Sequence, residues 1–413
     1  MTDKNATARA ATEQAATEED FQAFRNGFPA LKAQTYLSIC DKMIMHQRVR
    51  ASVDSFLDHL TMASANRVDH EVMVTGSREK FAELMNVAPS TVAATRNVSD
   101  GINSVACSLP WIEGDNVVVT AEAEHPNSIY PWLRQQKRGL EVRMIPANPD
   151  GSMDIDGMLG AMDKRTKLLT CASVTYAPGH RSDLARLGKA CSGNDTFFLV
   201  DGVQSAGILH HDFGAEHIDG FATSTSKGLL GLYGYGFLYV SEKWIDRMEP
   251  AYLSRPAIDM DNEAHSAMGS LDYDLKPDSR RFEVGSYNLA GAYAANASLD
   301  LLLGLGSADI EKRVLGLAGL LHEGLTDAGF PPAVPGSGPN QSHILTVGEI
   351  DAGSHGFSTD PEIERLSATL KDAKVAHTIR RGQVRFAIHA FNDESDIRHV
   401  VDCVREMKSN RTA

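Results

Sequence analysis

Residues 197–240 read FFLVDGVQSAGILHHDFGAEHIDGFATSTSKGLLGLYGYGFLYV, and this stretch decides the fold class. It contains short apolar runs bounded by Gly, Asp or Asn, which are typical of buried β-strands. Asp201 ends the first run, and Lys227 follows the second run and precedes a glycine-rich segment. An Asp at the carboxyl end of a parallel strand points into the ligand crevice of an open α/β sheet. The stretch therefore predicts a sheet whose strand ends carry ligand-binding side chains.

The same pattern extends on both sides of this stretch. Strands are predicted at Asn116–Thr120, Val142–Ile145, Lys167–Ala172, Thr196–Asp201, Gly220–Thr223 and Gly236–Val240. Amphipathic helical patterns lie between several of them, at Ile102–Leu109, Ser128–Gln136, Met153–Met162 and Asp183–Cys191. Strands that alternate with helices favour an α/β domain with a mainly parallel sheet.

The pattern of predicted helices and strands changes after about residue 290. Long helices are predicted at 289–305 and 311–328, followed by a Pro/Gly-rich loop, short strand-like pieces and a terminal helix. This order is typical of a smaller α+β domain that closes on the first. We predict four regions, which are a disordered tail (1–20), a segment that joins the small domain (21–62), a large domain (63–300) and a small C-terminal domain (301–413).

Composition narrows the class of protein without naming a function. The 413 residues are 42% hydrophobic and 23% charged, and 40 Lys+Arg against 54 Asp+Glu give a formal net charge of −14. An acidic balance argues against a nucleic-acid partner, which normally meets a basic surface. No apolar run approaches the ~20 residues that span a bilayer. These observations exclude fibrous, membrane and disulfide-scaffold classes, and we expect neither a nucleic-acid nor a membrane partner.

Cysteine usage and the N-terminus indicate the compartment. The cysteines are scattered and form no Cys-x-x-Cys pair; they are Cys40, Cys107, Cys171, Cys191 and Cys403. This pattern is typical of reduced thiols and gives no metal-site spacing. Residues 1–20 lack the basic start and apolar core of a secretory signal. We therefore expect a cytoplasmic protein without a metal site.

Lys227 and Asp201 together suggest one cofactor chemistry. A Lys at a strand end can form a Schiff base with pyridoxal phosphate, and an Asp at a neighbouring strand end can pair with the protonated pyridine nitrogen. Each residue alone has an ordinary explanation, as an Asp that caps a turn or a Lys on the surface. The combined spacing, with serines before the Lys and glycines after it, favours the cofactor.

Three segments of the stretch resemble the class V aminotransferase family, namely Val200–Gln204, Ser224–Lys227 and Gly234–Gly236. That family comprises cysteine desulfurases, isopenicillin-N-epimerase-like proteins, kynureninase and related enzymes, and the resemblance runs over about residues 28–407. It implies a fold-type-I pyridoxal-phosphate transferase, with a large domain built on a mainly parallel seven-stranded sheet and a small α+β domain. It also implies pyridoxal 5′-phosphate as cofactor, an amino-acid or keto-acid substrate, and a homodimer with shared active sites.

The resemblance assigns roles within the quoted stretch. Lys227 would carry the Schiff base, Asp201 would pair with the pyridine nitrogen, and Gln204 would donate to the phenolic oxygen of the cofactor. Ser224 matches a phosphate-binding Ser. Ser226 departs from the desulfurase pattern, which has His before the Lys, but its hydroxyl could donate to the phosphate.

Two further segments are predicted to contact the cofactor. Arg96–Asn103 is a loop that opens a helix, where free N–H groups and the helix dipole attract an anion; an ordinary N-cap is the alternative. The family places its phosphate loop here, with Val98 offering its N–H and Ser99 its N–H and hydroxyl. In the Glu124–Trp132 segment, the resemblance makes His125 the residue that stacks on the cofactor ring.

The C-terminal half supplies two more family positions. Arg281–Asn288 resembles an element whose hydroxyl, here Ser286, reaches the phosphate of the neighbouring subunit in family dimers. Arg385 matches the Arg that binds the substrate carboxylate in the family. An Arg suits this role because guanidinium and carboxylate form two parallel hydrogen bonds.

The sequence departs from the cysteine desulfurases in three places. Residues 375–383 contain no Cys, so we expect a persulfide mechanism to be unlikely. Tyr176 stands where desulfurases have Asn, and Asp41 stands where the family commonly has small residues; both are expected to face the substrate. Arg380 or Arg381 is expected to reach the cleft and to accept a second acidic group.

The resemblance favours an aminotransferase of amino-acid metabolism. A C–S or β-lyase and an amino-acid epimerase share its first steps, so they stay as alternatives. A non-catalytic relative that only binds ligands is a further alternative, although the retention of Lys227, Asp201, Gln204 and Arg385 argues against it.

Overall fold

The computed structural model describes residues 15–259 and 273–409. Its α-helices are α1 (Glu18–Asn26), α2 (Gln47–Met62), α3 (Arg67–Leu84), α4 (Val98–Ser108), α5 (Tyr130–Gln135), α6 (Ile155–Gly160), α7 (Leu184–Gly193), α8 (Glu242–Ile245), α9 (Leu289–Leu305), α10 (Ser307–Asp327), α11 (Pro361–Asp372) and α12 (Glu394–Ser409). Its β-strands are β1 (Thr35–Tyr36), β2 (Val92–Thr95), β3 (Asn116–Thr120), β4 (Glu141–Ile145), β5 (Thr166–Ala172), β6 (Phe197–Asp201), β7 (Gly220–Ser224), β8 (Gly236–Val240), β9 (Ile258–Asp259), β10 (Asp274–Leu275), β11 (Ile344–Val347), β12 (Val375–Ala376), β13 (Thr378–Arg380) and β14 (Gln383–Ala387).

A seven-stranded sheet forms the centre of the molecule, in the order β2-β8-β7-β6-β5-β3-β4. Strand β8 runs antiparallel to both of its neighbours, and every other neighbouring pair is parallel. Strands β3, β6, β7 and β8 are buried along their whole length, which explains their nearly continuous apolar runs. The predicted α/β class with a large, mainly parallel sheet is confirmed.

The two faces of this sheet face separate apolar clusters. Successive side chains of a strand point to opposite faces. Phe197 and Leu199 on β6 therefore pack in one cluster with Trp132 and Trp244, while Phe198 joins the larger cluster on the other face. Because both faces are covered, the strand ends are where ligands can reach polar side chains.

A smaller antiparallel sheet of order β11-β14-β13 carries the C-terminal functional segment. The N-terminal segment meets this region, because β1 pairs in parallel with β12. Arg25 adds ion pairs to Asp393 and Asp396 at the start of α12. Helix α2, by contrast, packs on α9. These contacts join the N-terminal segment to the C-terminal part of the chain.

Some element limits differ from the predicted ones. Helix α1 begins at Glu18, inside the predicted tail 1–20, because Thr17 and Asp20 form a capping box there. Residues 1–14 of that tail lie outside the described residues. Strand β2 was not predicted, since its sequence VAAT is short and half alanine. The domain limits 21–62, 63–300 and 301–413 stay predictions.

Within residues 15–259 and 273–409, no helix is long and apolar enough to cross a membrane. In the same ranges, no group of His, Cys, Asp and Glu side chains is arranged to hold a metal ion.

Candidate active site

A cavity of about 280 Å³ lies at the ends of the central strands. The predicted site residues that line it are Val98, Ser99, His125, Tyr176, Asp201, Gln204, Ser224, Ser226 and Lys227. They come from the start of α4 and from the segments that follow β3, β5, β6 and β7. The fold therefore brings together residues that are spread over about 130 positions of the sequence.

Lys227 is held by backbone contacts on both sides. The Met43 N–H donates to the Ser226 carbonyl at 2.9 Å, and His389 Nε2 donates to the Gly228 carbonyl at 2.9 Å. Lys227 Nζ itself makes no hydrogen bond or ion pair with any described residue. Burial lowers the pKa of this amine. A buried amine with a lowered pKa is more often neutral, and so is a better nucleophile and base.

Asp201 ends β6 with both carboxylate oxygens occupied. The Val203 N–H donates to Oδ1 at 2.9 Å, and Ser128 Oγ donates to Oδ2 at 2.9 Å. Burial raises the pKa of Asp201, while these two hydrogen bonds and nearby Lys227 oppose the rise. The carboxylate is thus fixed in orientation and held in a buried site, as a partner of a protonated ring nitrogen must be.

Glu124 is a second buried carboxyl of this cavity. Its Oε1 accepts the Ala172 N–H at 2.6 Å, while Oε2 is enclosed and has no hydrogen-bond partner among the described residues. Burial, followed by the charge of Asp201, raises the pKa of Glu124 to about 8. Sequence reasoning assigned no role to Glu124 or Ser128, although both lie in the segment that contains His125.

The start of α4 lines the cavity, but one of its predicted phosphate donors, the Val98 N–H, already has an acceptor. Asn97 caps the helix by accepting the Asp100 N–H, and the Val98 N–H donates to Ser224 Oγ at 2.9 Å. The first-turn N–H groups of a helix have no helical acceptors, and the dipole favours a negative charge there. Gly236 allows β8 to approach the start of α4 closely, because a Cβ at this position would lie 3.1 Å from Asn97 Cα.

Gln204 and His125 lie on the cavity wall. Gln204 Nε2 donates one N–H to the Cys40 carbonyl at 3.3 Å, and its second N–H has no acceptor among the described residues. The His125 ring meets Tyr176 edge-on, with 5.7 Å between ring centroids. Burial, followed by the charge of Lys227, lowers the pKa of His125. Its ring is therefore neutral near pH 7 and suited to lie flat on an aromatic group.

Arg385 is buried on β14, near Lys227 but outside the lining of the cavity. Its Nη1 donates to the Tyr176 carbonyl at 2.6 Å and its Nε to Thr378 Oγ1 at 3.0 Å. These bonds fix the plane of the guanidinium and leave Nη2 without a partner among the described residues. A carboxylate would therefore bind along the edge formed by Nη1 and Nη2.

The neighbouring charged residues have partners of their own. Arg380 Nη2 lies 2.9 Å from Asp41 Oδ1. Asp41, which was predicted to face the substrate, therefore forms an ion pair with Arg380. Arg381 donates to the Glu122 carbonyl at 3.0 Å and to the Ala177 carbonyl at 3.3 Å. Arg381 is thus committed to the backbone. Arg380 and Asp41 lie outside the lining of the Lys227 cavity, and the role of Arg380 toward a second acidic group stays a prediction.

Ser286 is not brought to the Lys227 cavity within one chain. It lines a second cavity of about 470 Å³, which shares Asn97, Ser99 and Gly234 with the Lys227 cavity. Its role across a dimer stays a prediction. Tyr233, which sequence reasoning did not select, does line the Lys227 cavity, and it is exposed. Tyr233 stands two residues before Tyr235 in the glycine-rich segment, and this position could have indicated that it lines the cavity.

Comparisons with known proteins decide the family. The family model described as aminotransferase class-V matches residues 43–359. The chain belongs to the class V aminotransferase family. Among curated relatives, a probable cysteine desulfurase of Methanothermobacter thermautotrophicus is 29% identical, over 72% of this chain and 82% of the relative. The uncharacterized aminotransferase YcbU of Bacillus subtilis is 26% identical, over 92% and 96%.

Solved structures show the same fold. The apo cysteine desulfurase of Thermococcus onnurineus superposes with a TM-score of 0.79 at 24% identity, over 96% of this chain and all of that chain. The cystine C-S lyase C-DES, in complex with its product cysteine persulfide, superposes with a TM-score of 0.80 at 22% identity, over 92% and 99%. The predicted fold-type-I architecture is confirmed.

Family membership makes the protein a pyridoxal 5′-phosphate enzyme, and the site fits this cofactor. It offers an unpartnered buried amine, an oriented carboxylate, a helix start for the phosphate and a free amide N–H. The expectation that a cysteine desulfurase is unlikely does not stand, because relatives named cysteine desulfurase oppose it.

Proposed function

We propose that the protein is an aminotransferase that acts on an amino acid whose α-carboxylate binds Arg385. The observation that carries the proposal is the buried Lys227 amine, which has no partner of its own and lies near both Asp201 and Arg385. A relative named as an aminotransferase that aligns over nearly the whole chain supports this reaction.

The residues of the site have separate tasks in binding. Bound pyridoxal phosphate supplies a carbonyl carbon for covalent attachment and a ring that withdraws electrons from the substrate Cα. Asp201 would hold the ring nitrogen protonated, and Gln204 would donate its free N–H to the phenolic oxygen. The start of α4 and the Ser224 hydroxyl would hold the phosphate, and the flat His125 ring would restrain ring tilt.

Lys227 and Arg385 then act on the substrate. The guanidinium edge of Arg385 would fix the carboxylate and so set the direction of the Cα–H bond. Lys227 Nζ, neutral and freed from the cofactor, would take the Cα proton as general base. Return of that proton to Cα from the same face would give exchange, and protonation from the opposite face would give epimerisation. Transamination would instead need delivery of the proton away from Cα and hydrolysis by one water, which releases the keto acid and leaves the amino nitrogen with the cofactor.

Cleavage of a C–S bond is the second candidate. The relatives named cysteine desulfurase favour it, and so does the position of Cys40. This thiol is buried and interacts electrostatically with Arg385 and Lys227. Arg385 and Lys227 lower the pKa of the Cys40 thiol, although burial outweighs them and keeps it raised. A sulfur-bearing substrate held by Arg385 would therefore lie in the same region as this thiol, although Cys40 itself does not line the Lys227 cavity.

A panel of amino acids with product analysis tests the proposal. A keto acid together with the pyridoxamine form of the cofactor indicates transamination. Pyruvate with ammonia or a sulfur species indicates a lyase, and deuterium uptake with scrambled stereochemistry indicates an epimerase. A cofactor band that no amino acid changes would support the non-catalytic alternative. Cys40→Ser is the matched control, because it should remove a thiol-dependent sulfur transfer and spare transamination.

We also propose a cytoplasmic homodimer with shared sites. The position of Ser286 outside the Lys227 cavity of its own chain supports a contact with the partner subunit's phosphate. Mixing Lys227→Ala subunits with Ser286→Ala subunits tests it. Hybrid dimers should contain one intact site and recover activity, and a monomer in solution would contradict the proposal.

A further inference from the structure

Glu124 is a buried side chain of the cavity to which the reaction described above gives no task. Its Oε1 accepts the N–H of Ala172, the last residue of β5, at 2.6 Å. Ala172 pairs in register with Asp201 on the neighbouring parallel strand. Glu124 is therefore tied to the strand end next to Asp201. Both carboxyls are nearly inaccessible, with exposed fractions of 4% for Glu124 and 6% for Asp201.

The two carboxyls differ in what they are bonded to. Each oxygen of Asp201 receives a donor, one from Val203 and one from Ser128. Oε2 of Glu124 receives none and is enclosed. A buried carboxylate oxygen without a donor is costly, whereas a neutral carboxyl in the same place costs much less. Two neighbouring buried carboxyls also oppose each other's ionisation, so one of them keeps its proton.

We propose that Glu124 is the protonated member of a carboxyl pair with Asp201, and that it acts through Asp201 by keeping the negative charge of the pair on that residue. A neutral Glu124 leaves the single negative charge of the pair on Asp201, which would hold the ring nitrogen of the cofactor. The inference rests on the proposed role of Asp201. The protonation of Glu124 is measured without cofactor, however, so either claim can fail while the other holds.

The titration of Glu124 depends on a small set of neighbours. Asp201 on β6 adds a negative charge, and the buried Cys171 thiol on β5 also interacts with Glu124. His125 follows Glu124 in the same loop and lines the same cavity, which also contains Lys227. Burial and the Asp201 charge raise the pKa of Glu124 to about 8, so the proton should leave only above neutral pH.

Infrared spectroscopy of the full-length, cofactor-free protein tests the proposal. Protein labelled with ¹³C-glutamate should show the carbonyl stretch of a protonated glutamic acid at pH 7. That band should disappear with a midpoint near pH 8 and should be missing in Glu124→Gln. Glu122→Gln, an exposed residue of the same loop, is the matched control and should keep the band.

A second variant tests the coupling within the pair. Asp201→Asn removes the neighbouring charge, so the midpoint of the glutamate band should fall below that of the wild type. Absence of a labelled band at pH 7, or a band that persists in Glu124→Gln, would overturn the proposal. So would a midpoint that Asp201→Asn does not move. If a variant fails to fold, the labelled wild-type titration still decides the protonation state.

Discussion

Replacing Glu124 by Gln should change how the stability of the cofactor-free protein depends on pH. The pKa of Glu124 is raised from its usual 4.5 to about 8 in the folded chain. Between these values the folded state holds a proton that the unfolded state releases. The free energy of unfolding therefore falls as pH rises through this window. Gln cannot titrate, so the variant lacks this contribution to the fall.

The size of the effect follows from the two pKa values. One proton bound only by the folded state changes the free energy of unfolding by about 1.4 kcal/mol per pH unit. Between pH 5 and pH 7 the unfolded carboxyl is mostly ionised and the folded one mostly protonated. The wild type should therefore lose about 2.5 kcal/mol more than Glu124→Gln over this interval.

Urea unfolding at equal protein concentration measures the difference. The midpoint and slope of the transition are determined at pH 5 and pH 7 for the wild type, for Glu124→Gln and for the control Glu122→Gln. Contributions from other titrating groups are common to all three proteins and cancel in the comparison. Parallel pH dependence of the wild type and Glu124→Gln would refute the reasoning, because it would mean that Glu124 ionises in the folded chain as it does in the unfolded one.

Three further substitutions test other parts of the account. Arg385→Gln should lower kcat/KM by roughly 100-fold, about 3 kcal/mol of lost charge-assisted binding, and an unchanged value in steady-state kinetics would exclude a carboxylate clamp. Ser224→Ala should weaken pyridoxal phosphate binding about tenfold in absorbance titrations but leave pyridoxal unaffected; equal losses for both ligands would contradict a phosphate contact. Gly202→Ala would place a Cβ 1.8 Å from Phe221 Cζ, so its thermal midpoint should fall by several degrees, whereas Gly316→Ala, with open space around its Cβ, should be neutral or stabilising.

Local sequence patterns predicted much of the fold. Strands β3 and β8 and helix α9 have the predicted limits, Asn116–Thr120, Gly236–Val240 and Leu289–Leu305. Their apolar runs are bounded by polar or glycine residues, so pattern and structure agree. Strand β2 has no such signal, because VAAT forms an edge strand only through its pairing with β8, which lies more than 130 residues later in the sequence. Long-range pairing of this kind is not encoded in a short window.

The candidate site, like the fold, was predictable from the sequence only in part. Lys227 and Asp201 are recognisable because their neighbours in the sequence form a compact motif. The state of Glu124 depends on Ala172, which is 48 residues away, and on the charge of Asp201. The commitment of Arg381 to two carbonyls depends on Glu122 and Ala177, in two loops that lie more than 200 residues earlier. Such partners follow from the packing of strand ends, and only the folded chain reveals them.

Borohydride reduction of the cofactor-loaded protein tests the central claim most directly. Reduction makes the link between cofactor and lysine permanent, and mass spectrometry of the peptides locates it. We expect one pyridoxyl phosphate group per chain, on Lys227, and none in Lys227→Ala. A group on another lysine, or a single-site adduct that persists in Lys227→Ala, would contradict the account.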